Sequence, residues 1–215
     1  MRESGRRAVY HGGMRPSPVA LGLVVLGWIA GGAAAQVIEF ESGGLKYQTL
    51  TKQGVTIMFA EMPVHVREWA ILQVAVSNGS SRDVAVQPEN LSFHRKDGSV
   101  VRGLPTGTVI RSLMDRAGRD DVIRLVSTYE LGLYGMQRFR STNGYEQRRQ
   151  NALAEVSSTR IKAAAAASAI ALVSSKLKPG ESTDGAVFFS TSGKPLGPGR
   201  LVVSAAGQLF EFDNP

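Results

Sequence analysis

The sequence contains no cysteine. That absence removes disulfides, thiol nucleophiles, thiolate metal sites and lipid modification of an N-terminal cysteine in one step. Histidine is nearly as scarce, with only His11, His65 and His94 in the chain. His11 lies in the basic leader described below, so His65 and His94 alone remain for chemistry. Both alternate with apolar neighbours (Val64 and Val66; Leu91 and Phe93) as solvent-facing strand residues do. A two-histidine metal site would require them adjacent across strands with a carboxylate beside them. There is no Gly-x-Ser-x-Gly turn to raise a serine nucleophile. The glycine-rich stretch Gly193–Gly199 misses phosphate-loop spacing, and Pro195 and Pro198 remove backbone donors such a loop needs. It reads as a long turn. Neither cofactor nor metal is expected.

What is present begins with a leader. Arg2, Arg6, Arg7 and Arg15 precede an apolar run from Val19 to Ile29, which passes through Gly31-Gly32 into Ala33-Ala34-Ala35. A basic stretch, a short apolar core and a small-residue end are the parts of a secretory signal peptide. Residues 1–35 are therefore read as a signal peptide cleaved after Ala35, and residues 36–215 as a single β-sandwich domain. An uncleaved membrane anchor is the alternative, and Met14 is a possible second start. Export to the periplasm or the extracellular space follows, in a bacterial rather than eukaryotic host. A chain of that length buries roughly 70% of its unfolded surface and needs no covalent staple.

The formal charge of +7 is unevenly spread. Eleven basic and six acidic residues between Asp115 and Lys178 give that stretch +5. The rest of the chain after the leader is close to neutral, so the high isoelectric point is no argument for nucleic-acid binding.

From Gln36 to about Ile110 the sequence reads as strands. Gly54–Met62 is β-prone and ends at Pro63, and Trp69–Ser77 alternates as a strand with one buried face, Leu72, Val74 and Val76 in, Gln73 and Ser77 out. Asn78-Gly79-Ser80-Ser81 supplies turn chemistry, with Val84-Ala85-Val86 as the returning strand. Pro88-Glu89-Asn90 breaks the chain before Leu91–His94, and Asp97-Gly98 marks a further hairpin. After Leu113 the pattern turns helical. Asp120 to Phe139 forms one helix, with Asp120 and Asp121 capping its N-terminus. Tyr145 to Leu177 forms a second, longer one that stops at Pro179-Gly180. Its Ala163–Val173 portion is small and apolar all round, hence buried, and too short to span a bilayer. Strands resume at Gly185–Ser190, Arg200–Ala205 and Gln208–Phe212, the last two as a terminal hairpin closing against the first half.

Val74-Ala75-Val76-Ser77-Asn78-Gly79-Ser80, followed by Val84–Pro88 and Leu91-Ser92-Phe93, resembles the central hairpin of bacterial telokin-like, immunoglobulin-like exported domains. Leu177–Ser182 leading into Gly185–Phe189 is similar to the same family's approach to a late strand. The resemblance spans roughly residues 55–101 and 177–212 and omits the helical block. It implies an exported adhesion, assembly or ligand-presenting module and brings no catalytic residues. The fold expected is mainly β, an immunoglobulin-like β-sandwich with an α-helical hairpin insertion at about residues 115–178.

Within that insertion Tyr134, Arg138, Arg140, Tyr145, Arg148 and Arg149 cluster around the inter-helix loop, the residue types enriched at binding hot spots. They are the expected partner-binding residues, set against the plainer reading of a solvated helix face. The expected function is a non-enzymatic binding or assembly module of the cell envelope, with an envelope protein or anionic envelope polymer as partner. The alternative is an envelope polysaccharide or peptide hydrolase, which needs a pocket where two carboxylates, or a histidine and a hydroxyl, converge. Self-assembly through Ala163–Val173 is a third possibility.

Overall fold

The computed structural model describes residues 36–135 and 158–214. The chain divides into residues 1–33 and 34–215, and every described residue lies in the second unit. The described residues form eleven strands: β1 (Ile38–Ser42), β2 (Leu45–Lys52), β3 (Val55–Glu61), β4 (Trp69–Asn78), β5 (Val84–Val86), β6 (Leu91–Arg95), β7 (Val100–Arg102), β8 (Ser175–Leu177), β9 (Ser182–Ser190), β10 (Gly199–Ala205) and β11 (Gln208–Asn214). Among the described residues, three helices lie between β7 and β8: α1 (Thr106–Arg116), α2 (Arg119–Gly135) and α3 (Thr159–Ile170). The protein is thus mainly β and antiparallel, with a helical segment set into the strand order.

The strands form a five-stranded sheet, β1-β2-β3-β4-β9, a four-stranded sheet, β11-β10-β6-β7, and a small β5-β8 pair. Early and late strands interleave in both larger sheets, because β4 pairs with β9 and β6 pairs with β10. The Asp97-Gly98 hairpin forms as expected, joining β6 to β7 with Ser92 opposite Arg102. So does the terminal hairpin, with Ala205 opposite Gln208.

Two apolar cores result. The first lies between the two larger sheets, where Ile57, Phe59, Leu72, Val74 and Val76 meet Leu91, Phe93, Leu201, Phe210 and Phe212. Phe59 and Phe212 touch edge-to-face across it, ring centroids 5.0 Å apart. The second lies on the opposite face of the five-stranded sheet, where Tyr47, Met58, Trp69, Ile71, Ala75 and Phe188 pack beneath Val109, Leu113, Leu125 and the α3 alanines. Each large side chain fully buried in either core contributes about 1.5–3 kcal/mol.

This second core overturns the one-faced reading of Trp69–Ser77. Every residue from Trp69 to Val76 is buried, including Gln73, because helices cover the face that alternation assigns to solvent. The Asn78-Gly79 turn does not make a hairpin either. After it the chain leaves the five-stranded sheet, and β5 pairs with β8 instead of returning along β4.

The helices also differ from expectation. Thr106–Arg116, read partly as strand, is the helix α1, which turns Val109, Leu113 and the following Ala117 inward at successive intervals of four. The Ala-rich helix ends at Ile170, well short of Pro179. The Leu172 N–H donates to the Ala186 carbonyl at 2.8 Å, so the chain joins β9 there and re-enters strand conformation at Ser175. No helix among the described residues is long and apolar enough to cross a membrane.

Candidate functional site

The helical layer is assembled from three different local signals. In α2, Asp121 at the third helical position accepts the Gly118 N–H at 2.8 Å, the return bond of a capping box, as the acidic start of this helix predicts. In α3, Ala163, Ala164, Ala166, Ala167 and Ala169 are all buried, and their small size lets the backbone approach α1 and α2 closely. Arg67, in the connector between β3 and β4, donates to the last-turn Arg116 carbonyl of α1 at 2.8 Å and lies 3.7 Å from the Asp121 carboxylate. A guanidinium placed on a helix C-terminus and an adjacent carboxylate is favourable on both counts. Arg124 reaches back to the His65 carbonyl at 2.9 Å, so α1 and α2 are both pinned to the same connector.

The outward face of this layer is basic. Arg111, Arg116, Arg119, Arg124, Arg160 and Lys162 are exposed, against exposed Asp115 and Asp120. Met114, Ile123 and Ile161 stand among them at 50%, 54% and 47% exposure. Cationic side chains mixed with uncovered apolar ones form a surface suited to an acidic, partly apolar partner.

Of the residues singled out from sequence, Tyr134 falls in the last turn of α2, and Arg138, Arg140, Tyr145, Arg148 and Arg149 lie outside the described residues. The basic side chains of α1 and of the first turns of α2 and α3 were passed over. Apart from Arg111, which precedes it, they belong to the stretch whose excess of bases over acids the sequence shows. The Ala163–Val173 run is consumed by packing within the chain, buried from Ala163 to Leu172 except at Ala165 and Ser168, and so offers little outer surface for self-assembly.

The histidines separate. His94 is an exposed β6 residue whose Nε2 lies 3.0 Å from the Ser92 hydroxyl. His65 is not a strand residue; it sits half-buried in the β3–β4 connector with its Nε2 enclosed and unpartnered. Among the described residues no group of three or more histidine or acidic side chains could hold a metal. Asn78, within a glycosylation-type triplet, is wholly buried, and its amide is spent on Arg82, Leu177 and Ser80. The Gly193–Gly199 stretch is the β9–β10 loop, where Thr191 Oγ1 donates to the Lys194 carbonyl and the Leu196 N–H donates to Glu61.

A second feature has no counterpart in the expected site residues. A cleft of about 910 Å³ opens at the corner where β1, β2 and the end of β3 meet the β9–β10 loop. Its walls draw on both cores, with Tyr47 and Met62 from one and Phe59, Leu72 and Phe93 from the other. Glu39, Glu41, Glu61, His65 and Lys46 also line it. Burial pushes the Tyr47 phenol up to about 12, so it stays protonated and offers a hydrogen-bond donor at neutral pH.

No protein-family model and no curated protein matches the chain. The crystal structure of the yjhA protein from Bacillus subtilis is similar over 77% of this chain and 76% of that one, at 9% identity and a TM-score of 0.30, too low for a shared fold to follow.

Proposed function

We infer that the chain is an exported, immunoglobulin-like binding or assembly module of the cell envelope that meets its partner through the helical layer. The observation carrying this reading is the asymmetry of that layer. Its inner side is alanine packed on the sheet, and its outer side mixes six exposed cations with exposed Met114, Ile123 and Ile161. Such a face attracts an anionic envelope polymer or an acidic protein by charge and holds it by apolar contact. Tyr134, Arg138, Arg140, Tyr145, Arg148 and Arg149 extend the same chemistry along the sequence.

The immunoglobulin-like assignment draws its support from strand order. β3-β4-β9 in one sheet and β11-β10-β6-β7 in the other correspond to A-B-E facing G-F-C-C′ of such sandwiches, with β1-β2 added at one edge. The helices then occupy the connection from C′ to E. Export draws its support from the basic and apolar leader in residues 1–35.

The test is crosslinking in intact cells with mass-spectrometric mapping of linked residues, repeated after reversing Arg111, Arg116, Arg124 and Arg160 to glutamate. Recurrent links from the helical layer to one partner, lost on reversal, support the reading. Links unaffected by reversal, or absent from this layer, refute it.

A second reading, hydrolysis of envelope polysaccharide or peptide, is favoured by the corner cleft, which gathers three glutamates, a histidine and a phenol. Turnover of such a polymer by the purified chain, abolished by Glu61→Gln, would establish it. Lack of turnover across both polymer classes would remove it.

A further inference from the structure

Among the described residues, the outer edges of the two larger sheets are closed or cut short everywhere except at β1. β9, at the far side of the five-stranded sheet, is covered by backbone. The Leu172 and Leu104 N–H groups donate to its Ala186 and Phe188 carbonyls, both at 2.8 Å. On the other sheet, the Leu209 and Asp213 carbonyls of β11 accept from Lys52 and Gln48, at 2.6 and 3.0 Å. The opposite edge, β7, is only three residues long. Covered or shortened edges keep a folded sheet from taking on further strands. β1 has no such device. It runs for five residues without proline, pairs one-to-one with β2 without a bulge, and pairs with no other described strand.

The side chains of β1 divide between its two faces. Ile38 stands opposite Thr49 and Phe40 opposite Tyr47, while Glu39 stands opposite Gln48 and Glu41 opposite Lys46. Opposed residues share a face, so Ile38 and Phe40 lie on one side of the sheet and both glutamates on the other. Ile38 and Phe40 are 61% and 42% exposed, and both glutamates are exposed as well. Among the described residues no cation comes within ion-pair distance of either carboxylate, although Lys46 stands across from Glu41. A strand added at this edge therefore meets apolar side chains on one face and two negative charges on the other.

A second copy of β1 does not fit. Antiparallel pairing that sets Phe40 against Phe40 also sets Glu39 against Glu41, twice over. Parallel pairing in register sets each glutamate beside its own copy. Like charges directly opposed destabilise a strand pair, and a slip of one residue sets glutamate against the apolar side chains instead. The edge thus rejects itself and selects a strand of opposite sign. We propose that β1 is a docking edge for an extended peptide segment of a partner protein, one in which basic and apolar residues alternate, added as a sixth strand to the five-stranded sheet. The free N–H and C=O groups of β1 supply the ladder. Glu39 and Glu41 receive the basic side chains, and Ile38 and Phe40 the apolar ones. This docking does not rest on the helical-layer reading and involves no bond making or breaking.

The experiment is a fluorescence-anisotropy titration of the purified chain into labelled, end-capped peptides. The probe is Thr-Val-Lys-Val-Lys-Val-Thr, compared with its isomer Thr-Val-Val-Val-Lys-Lys-Thr and its acidic counterpart Thr-Val-Glu-Val-Glu-Val-Thr. The alternating lysine peptide is expected to saturate below about 1 mM, with the isomer weaker by about tenfold and the acidic peptide not binding. N-methylation of alternate peptide nitrogens separates ladder formation from charge attraction. Methyls on one alternate set are expected to abolish binding and on the other to leave it, because only every second N–H of a strand faces a given neighbour. Glu39→Lys/Glu41→Lys is expected to reverse the preference between the lysine and glutamate peptides. Glu39→Gln/Glu41→Gln, which keeps shape while removing two cross-strand charge pairs, is expected to weaken the lysine peptide about fivefold. No binding of the lysine peptide up to about 1 mM, equal binding of its isomer, indifference to the position of N-methylation, or a preference unchanged in both variants would overturn the proposal. Dimerisation of the chain in sedimentation that the lysine peptide competes away would also overturn it, by assigning the edge to a second copy.

Discussion

Replacing Asn78 tests how the five-stranded sheet is tied to the small β5–β8 pair at one end. Its side-chain Nδ2 donates to the Arg82 carbonyl at 2.7 Å and to the Leu177 carbonyl at 3.0 Å, and its Oδ1 accepts from the Ser80 N–H and hydroxyl at 3.0 and 2.6 Å. Its backbone N–H donates to the Glu181 carbonyl, and its carbonyl accepts from Gly180. One residue thus joins the end of β4, the turn before β5, the end of β8 and the approach to β9. Asn78→Ala removes four side-chain hydrogen bonds and leaves enclosed carbonyls without donors. At about 1 kcal/mol net for each bond, with solvent reaching the outer ones, the expected loss is about 2–4 kcal/mol. That is a large part of a stability of about 5–15 kcal/mol.

Asn78→Asp is the sharper variant. Ser80 still donates to one oxygen, while the other faces two carbonyl oxygens and must carry a proton to avoid repulsion. The introduced carboxyl is therefore raised in the folded state above its unfolded value of about 3.9. With that sign, the variant loses stability as pH rises from that value through the folded one, and recovers it on acidification. Urea unfolding at about pH 5 and pH 7, read as a shift in midpoint at constant slope, measures both effects. An Asn78→Ala loss below about 1 kcal/mol would show that the bonds are not structural. Equal stability of Asn78→Asp at the two pH values, relative to wild type, would refute the assigned donor direction.

Two further perturbations follow from contacts already described. Tyr47 ionises at about 12 in the fold against 10.0 unperturbed, so its contribution is full below pH 10.0 and falls away between those values as the unfolded chain ionises first. Alkaline urea melts of Tyr47→Phe should lack that step; an alkaline profile unchanged from wild type would refute it. Gly185→Ala would set a methyl 2.5 Å from the Leu172 nitrogen and 2.6 Å from its Cα, a crossing backbone that cannot swing aside. A loss of about 3 kcal/mol or more is expected in the unfolding midpoint, and a wild-type midpoint would show that the crossing segment yields.

Local signals in the sequence led to the right elements wherever the local partner was also the native one. Asp97-Gly98 and Ala206-Gly207 join strands that do pair, so turn chemistry and topology agree. Asn78-Gly79 carries the same chemistry, but its asparagine is drawn into the interior and the following strand pairs across about a hundred residues with β8. Trp69–Val76 is an almost unbroken apolar run, which is what burial on both faces demands. Alternation alone assigns its second face to solvent, and the helices cover that face. Thr106–Arg116 holds three β-branched residues besides its threonine start, and one glycine, and its helix depends on packing Val109 and Leu113 rather than on propensity. The Ala-rich helix was recognised, but its end is dictated by the hydrogen bond from Leu172 to Ala186, a tertiary contact that no neighbouring residue announces. The corner cleft was invisible for the same reason: Tyr47, Gln48, His65 and Glu61 are unremarkable apart, and only strand register and the β9–β10 loop bring them together.

The pairing of β4 with β9, Trp69 opposite Ser190 and Ser77 opposite Ser182, has a consequence in time. A chain leaves the ribosome or a translocation pore N-terminus first, at about 5–20 residues per second in synthesis. β4 is then complete some 5–20 s before its central partner is available. During that interval it is a ten-residue strand of low charge with one open edge and neither face covered, the kind of segment that seeds association between chains. The charges that interrupt it are placed at its limits, Arg67 and Glu68 just before it and Arg82 and Asp83 just after the turn, where they act as gatekeepers against lateral growth. The helical segment is also made in the interval, and once α3 packs on α1 and α2 it shields one face before β9 arrives. Burial on both sides, which gives the finished sheet its firmness, thus makes the order of arrival the most exposed moment in the life of the protein.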